Sequence, residues 1–541
     1  MPLPAAVEQR LARLAVDQRA AATAPHGPVL CIAPAGSGKT TTLVARVAWL
    51  VATGTPPATI CAVTFNRRAA DELAERVAAA LAPLGHAPDA VRVRTFHALG
   101  REILFDAGYP VEPLVDRLAL LRELEGDLPA AVVRRLDDGF SRLKLDLAVE
   151  TAALAREVTA AQTRGEPPGP VVQAFLRYEA ALADRHALDF DDLVRRALGA
   201  LERAPDLLER WRERCAELLV DEVQDVDRSQ LRLALLLAAP ANRVFLVGDD
   251  DQTIYAWRLA DVRRVLDLAA ALPGLRRVDL VTNYRCPPAV TERAVRLVER
   301  NPERFAKTIR PGRSTAGHLF LLPDPGDDVA RARRLLREWP APPGEMRAVL
   351  ARTNTELAPY AAVALEFGIP YRADDDGLVL DDPAVDDVLG AAADPRAAAL
   401  LERLLLARAA VGPDRLQAAT ALLAWAPGHR NAAALASAVA DARARRAAIR
   451  REDAPLLLAT AHATKGLEFD HVAVVGLDEG RFPSARSIAE SDCPARTLEE
   501  ERRLAYVAWT RARRSLTLVY DPDAPSPFLR ETFSDAELRA P

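Results

Sequence analysis

The chain has 541 residues, half of them hydrophobic, and its 71 basic and 76 acidic side chains leave a formal net charge of −5. This length predicts roughly three to four domains with sizeable cores. The slight acidic excess argues against a generally basic nucleic-acid coat but leaves room for a locally basic channel. The five cysteines are scattered and form no Cys-x-x-Cys pair, which argues against a disulfide framework, a zinc ribbon or an iron–sulfur cluster.

Nothing in the sequence predicts a membrane partner. The first ten residues lack a positively charged start followed by an apolar core, so they do not predict a signal peptide. No uncharged apolar run reaches the ~20 residues that span a bilayer. We therefore expect a cytoplasmic protein, in keeping with its scattered cysteines.

Short apolar strands alternate with helices through the first half of the chain. Residues 5–24 are predicted to form one helix, and later helices are predicted over 69–81 and from near His97. The predicted strands are 29–32, 60–65, 91–95, 218–220 and 244–247. This alternation predicts an α/β fold with a doubly wound parallel sheet, whose functional groups gather at the carboxyl ends of the strands.

The most specific stretch follows the first strand and reads Ala-Pro-Ala-Gly-Ser-Gly-Lys-Thr. Glycines in such a turn let backbone N–H groups approach phosphate oxygens closely. Lys39 would reach the β- and γ-phosphates, and the Thr40 hydroxyl would hold Mg²⁺. An ordinary strand–turn–helix that contains Gly-Lys-Thr is the alternative. We predict a relaxed phosphate loop that binds a nucleotide, formed by Ala33, Gly36, Ser37, Gly38, Lys39 and Thr40.

Two further strands end in polar residues. Asp221 and Glu222 follow the strand at 218–220; the first would hold Mg²⁺, and the second would activate the attacking water. A solvated strand end is the alternative. After the strand at 244–247, Gln252 is placed to sense a γ-phosphate. The residues Tyr255, Trp257 and Arg258 form an aromatic–basic cluster of the kind that stacks on single-stranded bases, although core packing of Trp257 competes with this interpretation.

Residues 101–187 interrupt the strand–helix rhythm and read as an inserted helical subdomain. The second half has strand candidates at 278–280, 348–351, 457–460, 472–475 and 516–519, which predict a second sheet. This half contains no phosphate loop, so we do not expect it to bind a nucleotide of its own. The aspartates between 374 and 387 are interpreted as a solvated linker rather than a metal site.

The motifs, taken in order, resemble those of superfamily 1A DNA helicases of the UvrD/Rep/PcrA type. The matching stretches are residues 33–40, 62–70, 95–97, 221–225, 248–257, 283–286, 460–470 and 499–514. They span nearly the whole chain, and eight motifs in order are far more specific than any one of them.

This resemblance implies two RecA-like parallel-sheet domains with two helical insertions. We expect the first domain at 1–100 and 188–275, with its insertion at 101–187. We expect the second domain at 276–375 and 456–541, with a reduced insertion at 376–455 and no C-terminal tail.

The resemblance also assigns roles to single residues. It implies that Gln18 reads adenine with Thr41 nearby, that Tyr284 stacks on the base, and that Glu468 contacts the ribose. It implies that Arg285 and Arg511 approach the γ-phosphate. The residues that it places along single-stranded DNA are Phe65, His97, Phe190, Tyr255, Trp257, Arg258 and His462.

The function that this resemblance implies is an ATP-dependent 3′→5′ single-strand translocase or helicase, which binds ATP and Mg²⁺ and acts on single-stranded and tailed duplex DNA in repair or recombination. One alternative is a DNA-stimulated ATPase subunit that acts with a nuclease partner in repair or anti-phage defence, with little unwinding alone. The other is a phosphate-loop kinase or simple NTPase.

Overall fold

The computed structural model describes residues 2–126, 128–146, 159, 169–255, 259–312, 317–340, 342–393, 399–410, 416–426 and 429–539. The chain divides into two compact units, each built on a six-stranded sheet. The first unit comprises Met1–Tyr284 and Asn301–Arg310, and the second comprises Arg285–Arg300 and Pro311–Pro541.

The sheet of the first unit is parallel throughout, in the order β3-β2-β4-β5-β1-β6. Its strands are β1 (Val29–Ile32), β2 (Ile60–Thr64), β3 (Arg92–Thr95), β4 (Glu217–Val220), β5 (Val244–Gly248) and β6 (Arg276–Asp279). Two short strands follow, β7 (Thr282–Asn283) and β8 (Arg310–Pro311). The predicted α/β class with a parallel sheet is confirmed.

The strand predicted at 278–280 was wrongly assigned to the second sheet. In the structure, β6 pairs with β1 and completes the first sheet, with Arg276 opposite Val29. A short apolar strand carries no mark of its partner, because pairing depends on the crossover that returns the chain to the sheet.

Both faces of this sheet are covered by helices, as parallel sheets require. Leu30 and Ile32 pack into the core on one face, while Val29 and Cys31 pack into the core on the other. The helices of this unit are Ala5–Ala12, Val16–Ala22, Lys39–Ala52, Arg67–Leu81, Phe96–Asp106, Arg117–Glu125, Ala130–Leu145, Pro170–Asp184, Asp192–Arg203, Pro205–Arg214, Arg228–Ala238, Val262–Leu266 and Leu268–Ala271.

The single helix predicted over 5–24 is two helices. The second begins after Ala15, whose backbone N–H donates to Gln18 Oε1 at 3.1 Å. A side chain that caps the backbone in this way favours a new helix start over a continuous helix.

Helices between Arg117 and Asp184 form a satellite core of their own. Leu120, Phe140, Phe175 and Tyr178 are buried together there. Helices are therefore present where the sequence predicts a helical insertion, while the boundaries of the four-part division remain predictions.

The second unit also has a parallel sheet, in the order β11-β12-β10-β13-β14-β9. Its strands are β9 (His318–Pro323), β10 (Arg347–Ala351), β11 (Tyr371–Arg372), β12 (Leu456–Thr460), β13 (Phe469–Val474) and β14 (Ala512–Tyr520). The edge strands β9 and β11 were not predicted: β11 has two residues, and β9 is partly exposed along its length.

The helices of the second unit are Pro288–Val298, Asp328–Glu338, Ala358–Phe367, Pro383–Ala392, Leu400–Ala410, Leu416–Trp425, Ala432–Ile449, Ala485–Ala489, Pro494–Trp509, Pro527–Thr532 and Asp535–Leu538. Four of them, between Pro383 and Ile449, enclose a separate apolar cluster. Across the described parts of both units, no helix is long and apolar enough to cross a membrane.

The acidic stretch at 374–387 is not simply a solvated linker, and for Asp376 that prediction is wrong. Asp376 is fully buried, and Arg446 donates to both of its carboxylate oxygens at 2.7 and 3.0 Å. The Tyr371 hydroxyl donates to the same carboxylate at 2.7 Å. The aspartate therefore connects β11 to the helix Ala432–Ile449. This contact joins residues that are far apart in the sequence, so the sequence did not predict it.

Replacing Arg446 by alanine leaves Asp376 buried without its cation, so we expect the Arg446→Ala variant to lose about 3–5 kcal/mol of unfolding free energy. Urea unfolding followed by circular dichroism measures this loss. Arg443→Ala is the matched control on the same helix, because Arg443 pairs with the exposed Asp386 and should matter far less. Equal effects of the two variants would contradict the interpretation.

Candidate functional site

The phosphate loop joins β1 to the helix Lys39–Ala52. Gly36 and Gly38 have φ angles of 70° and 84°, which favour glycine. The Ser37 hydroxyl between them is buried and has no hydrogen-bond partner among the residues that the structure describes. Because a buried unsatisfied hydroxyl costs free energy, a phosphate oxygen that accepted its hydrogen bond would be bound favourably. The loop therefore fits a phosphate group.

Gln18 and Tyr284 both contact this loop. Gln18 is buried, and its Nε2 donates to the Ser37 carbonyl at 2.8 Å. The absence of a side chain at Gly38 makes room for that amide, since a Cβ there would lie 2.6 Å from Gln18 Nε2. The Tyr284 N–H donates to the Gly36 carbonyl at 2.8 Å, and its side chain is exposed, as is Thr41. Their roles toward adenine remain predictions.

The lysine of the loop faces the acidic end of β4. Lys39 Nζ lies 2.9 Å from Glu222 Oε2. Burial lowers the pKa of Lys39, but the nearby carboxylates raise it by more, so the pKa is raised and the side chain is cationic. Glu222 itself has a φ of 52°, a strained conformation of the kind found at functional sites. The structure thus brings together the predicted phosphate-binding cation and the predicted base.

Asp221 precedes Glu222 and is buried. Burial, and then repulsion from Glu222, raises the pKa of its carboxyl to about 7. A nearby cation would stabilise the charged form of this buried carboxyl and lower its pKa, which fits the predicted role of Asp221 toward Mg²⁺.

Asp249 connects three parts of the site. Its Oδ2 accepts hydrogen bonds from the Ala35 N–H at 3.1 Å and from Gln252 Nε2 at 2.7 Å. Its own N–H donates to Gln224 Oε1 at 3.0 Å. A Cβ on Gly248 would lie 2.2 Å from the same Gln224 oxygen, so a side chain there would displace the amide that binds Asp249. Because β4, β5 and β1 are neighbours in the sheet, their three loops meet at one edge.

A stacked aromatic pair lies at the end of β3. The rings of His97 and Phe190 are 3.9 Å apart between centroids, and Phe190 is 58% exposed. The helix that carries His97 and the helix that follows Phe190 approach closely at Gly100, where a Cβ would lie 2.4 Å from the Leu193 carbonyl oxygen. Sequence reasoning missed Gly100, although a glycine inside an amphipathic helix is the available signal.

Two cations, the buried Lys144 and the partly buried Arg117, hold the segment that carries Phe190. Lys144 Nζ lies within 3.1 Å of three carboxylates, and Arg117 pairs with two on the same segment. The carboxylates involved are Glu179, Asp189, Asp191 and Asp192. The aspartates on either side of Phe190 are thus fixed, which keeps its ring presented to solvent.

A second aromatic pair lies at the end of the adjacent strand β2. Phe65 and Tyr255 stack with centroids 5.4 Å apart and an interplanar angle of 12°. The last residues of β2 and β3, Thr64 and Thr95, are register partners, so the two aromatic pairs begin at neighbouring strand ends. Trp257 and Arg258, also predicted to contact DNA, lie outside the described residues.

The second unit brings together three of the predicted site residues, Arg285, Glu468 and Arg511. Arg285 Nε donates to Glu468 Oε2 at 2.6 Å, and its Nη1 donates to the Thr510 carbonyl at 3.2 Å. Arg511 is buried and donates to the Val507 and Leu467 carbonyls. The predicted γ-phosphate and ribose residues of this unit are therefore close to one another.

His462 follows β12 in the second unit. Burial, followed by the positive charges of Arg352 and Lys465, lowers the pKa of His462 to about 4. The imidazole is therefore neutral at physiological pH, so a contact with DNA would use its ring or a hydrogen bond rather than charge.

Comparisons with known proteins agree with this geometry. The UvrD/REP helicase N-terminal domain model matches residues 14–273, and the UvrD-like helicase C-terminal domain model matches residues 432–522. The ATP-dependent DNA helicase UvrD2 of Mycobacterium tuberculosis is 32% identical over 94% of this chain and 78% of its own length. The chain belongs to the UvrD-like helicase family. DNA helicase II and Rep of Escherichia coli are each 27% identical over 93% of this helicase, covering 84% and 90% of their own lengths.

Family membership implies ATP-dependent unwinding of DNA, and it confirms the resemblance that the motifs indicated. The order of motifs identified the helicase, whereas several residues that organise its site were not predicted. Among these are Asp249, which bonds both the phosphate loop and Gln252, and Gly248, which permits that approach.

If Phe190 stacks on a base, its loss should weaken binding of single-stranded DNA about 5- to 150-fold, the equivalent of 1–3 kcal/mol per stacked base. Fluorescence anisotropy of a labelled oligothymidylate with the Phe190→Ala variant measures the change. Phe105→Ala is the control, since Phe105 is a 72%-exposed aromatic of the same unit. Wild-type affinity in Phe190→Ala would exclude the predicted contact.

Proposed function

We propose that this helicase couples hydrolysis of Mg·ATP to 3′→5′ movement along single-stranded DNA, and so unwinds duplexes that carry a single-stranded tail. The observation that carries the proposal is that one edge of the first sheet bears both sets of groups. The Lys39–Glu222 pair follows β1 and β4, and the aromatic pairs begin at the ends of β2 and β3. A change at the phosphates can therefore reach the aromatic rings through one rigid sheet.

The proposal gives each site residue a chemical role. Lys39 holds the β- and γ-phosphates, and Glu222 takes a proton from the attacking water. Gln252 senses the γ-phosphate. Arg285 and Arg511 add positive charge to the transition state, an effect worth about 10³–10⁵ in rate for arginine fingers. The adenosine contacts are assigned to Gln18, Thr41, Tyr284 and Glu468.

The residues that would hold Mg²⁺ are Thr40 and Asp221. Within the described residues, no group of three or more His, Cys, Asp or Glu could hold a metal ion. The pair of Thr40 and Asp221 suits Mg²⁺, which is commonly held by one or two carboxylates together with substrate phosphates. When bound, the ion would neutralise charge on those phosphates.

The DNA path is proposed to run over the aromatic pairs. Phe65, His97, Phe190 and Tyr255 offer flat faces, which bind bases of any sequence because every base has a π-face. Trp257, Arg258 and His462 are assigned to the same path. Cycles of ATP binding and hydrolysis would alternately tighten and release these contacts, so that each cycle moves the strand by a small step.

Glu222→Gln should lower the DNA-stimulated ATPase rate by at least about 10²-fold, because an amide cannot accept the proton of the attacking water. Steady-state ATPase assays with and without single-stranded DNA measure the rate, and binding of a fluorescent ATP analogue should persist. Lys39→Ala is the comparison, since it should lose nucleotide binding as well. Undiminished DNA-stimulated ATPase activity in Glu222→Gln would refute the assignment.

We also propose a biological setting for the helicase, namely DNA repair or recombination in the cytoplasm. The five cysteines, all of which lie within the described residues, form no disulfide, which suits a reducing cytoplasm, and repair or recombination is the setting that the family resemblance favours. The alternative, an ATPase subunit that acts with a nuclease partner, makes a different prediction for the purified chain. Strong stimulation of ATPase by DNA without unwinding of tailed duplexes would favour that alternative.

A further inference from the structure

Three consecutive aspartates, Asp249 to Asp251, follow β5, and all three are fully buried. Buried carboxylates require cations or hydrogen-bond donors, because desolvation of an unpaired charge is costly. The cations come from Asn301–Arg310, a segment that rejoins the first unit after the chain has passed through Arg285–Arg300 of the second.

Lys307 contacts all three carboxylates. Its Nζ lies 2.8 Å from Asp249 Oδ1, 2.5 Å from Asp250 Oδ1 and 2.8 Å from Asp251 Oδ2. The side chain of Lys307 is 1% exposed. An ammonium group has three N–H donors, so these three carboxylates match its full donor capacity.

Arg304 belongs to the same cluster but donates to one of the three aspartates. Its Nε and Nη2 donate to the two oxygens of Asp251 at 2.9 and 2.8 Å. The Phe305 N–H donates to Asp250 Oδ2 at 2.8 Å. Asp250 and Asp251 thus have partners besides Lys307 on this segment, whereas Asp249 forms its ion pair with Lys307.

Asp249 has its two oxygens divided between Lys307 and the ATP site. Oδ1 accepts from Lys307 Nζ, and Oδ2 accepts from the Ala35 N–H and Gln252 Nε2. A carboxylate is rigid and planar, so the position of Oδ1 fixes that of Oδ2. The placement of Lys307 is therefore transmitted to the phosphate loop and to Gln252.

We propose that Lys307 is a positioning residue for ATP hydrolysis, which acts through Asp249 to hold the phosphate loop at Ala35 and the amide of Gln252. The proposal rests on the ATP role given above to the phosphate loop and Gln252. Lys307 does not contact the nucleotide in this assignment. It acts on the geometry of groups that do, and a misplacement of about 1 Å can cost 10²-fold in rate.

The test uses the full chain with Lys307→Met, which has similar length but no charge, and Lys307→Arg, which keeps the charge. In Lys307→Met, kcat of the DNA-stimulated ATPase should fall about 10²-fold with little change in KM for ATP, and Lys307→Arg should restore part of it. Arg304→Ala is the matched control, because Arg304 is equally part of the cluster but contacts Asp251 and not Asp249.

A second readout is independent of catalysis. Hydrogen–deuterium exchange at the Ala35 amide should be faster in Lys307→Met than in the wild type and in Arg304→Ala, because that amide bonds to Asp249. Unchanged exchange at Ala35 would overturn the proposal, and so would equal effects of Lys307→Met and Arg304→Ala on both readouts. If the wild type lacked DNA-stimulated ATPase, the proposed function would fail, while the exchange experiment would still decide the role of Lys307.

Discussion

Carboxylates crowd the ends of β4 and β5, and the site supplies cations and hydrogen-bond donors that offset the cost of burying most of them. Asp221 and Glu222 lie on one strand end and Asp249 to Asp251 on the next, with Lys39, Arg304 and Lys307 among them. A charge in such a place is retained only when partners compensate its desolvation. The ammonium group of Lys39 pairs with Glu222, so a bound phosphate would compete with the Glu222 carboxylate for that group.

The fold class and the main ATP-site residues were accessible from sequence because they depend on local patterns. A strand–glycine turn–helix and a strand that ends in two acids are each encoded within about ten residues. The partners of those acids are encoded elsewhere. Lys307 lies 58 positions from Asp249, in a segment with no recognisable motif, so its contact arises only when the chain returns to the first unit.

The same distinction explains the remaining misassignments. The strand predicted at 278–280 carries no local sign of its partner, and only the pairing of β6 with β1 places it in the first sheet. Asp376 reads as one of several linker aspartates, and only the return of the helix Ala432–Ile449 makes it a buried anchor. The aromatic pairs show a mixed case: the family resemblance implied roles for His97 and Phe190, but their stacking accompanies the close helix approach at Gly100, which was not predicted.

The return of Asn301–Arg310 to the first unit has a consequence for synthesis of the protein. A ribosome that has released the first 284 residues has delivered every strand of the first sheet, but not the two cations of Asp249 to Asp251. At roughly 5–20 residues per second, that deficit lasts for about one to a few seconds. During this interval the nascent chain carries three acids that cannot yet be buried cheaply. The first unit therefore completes its folding only after part of the second has been translated, and a proteolytic cut after Tyr284 would separate the aspartates from their partners.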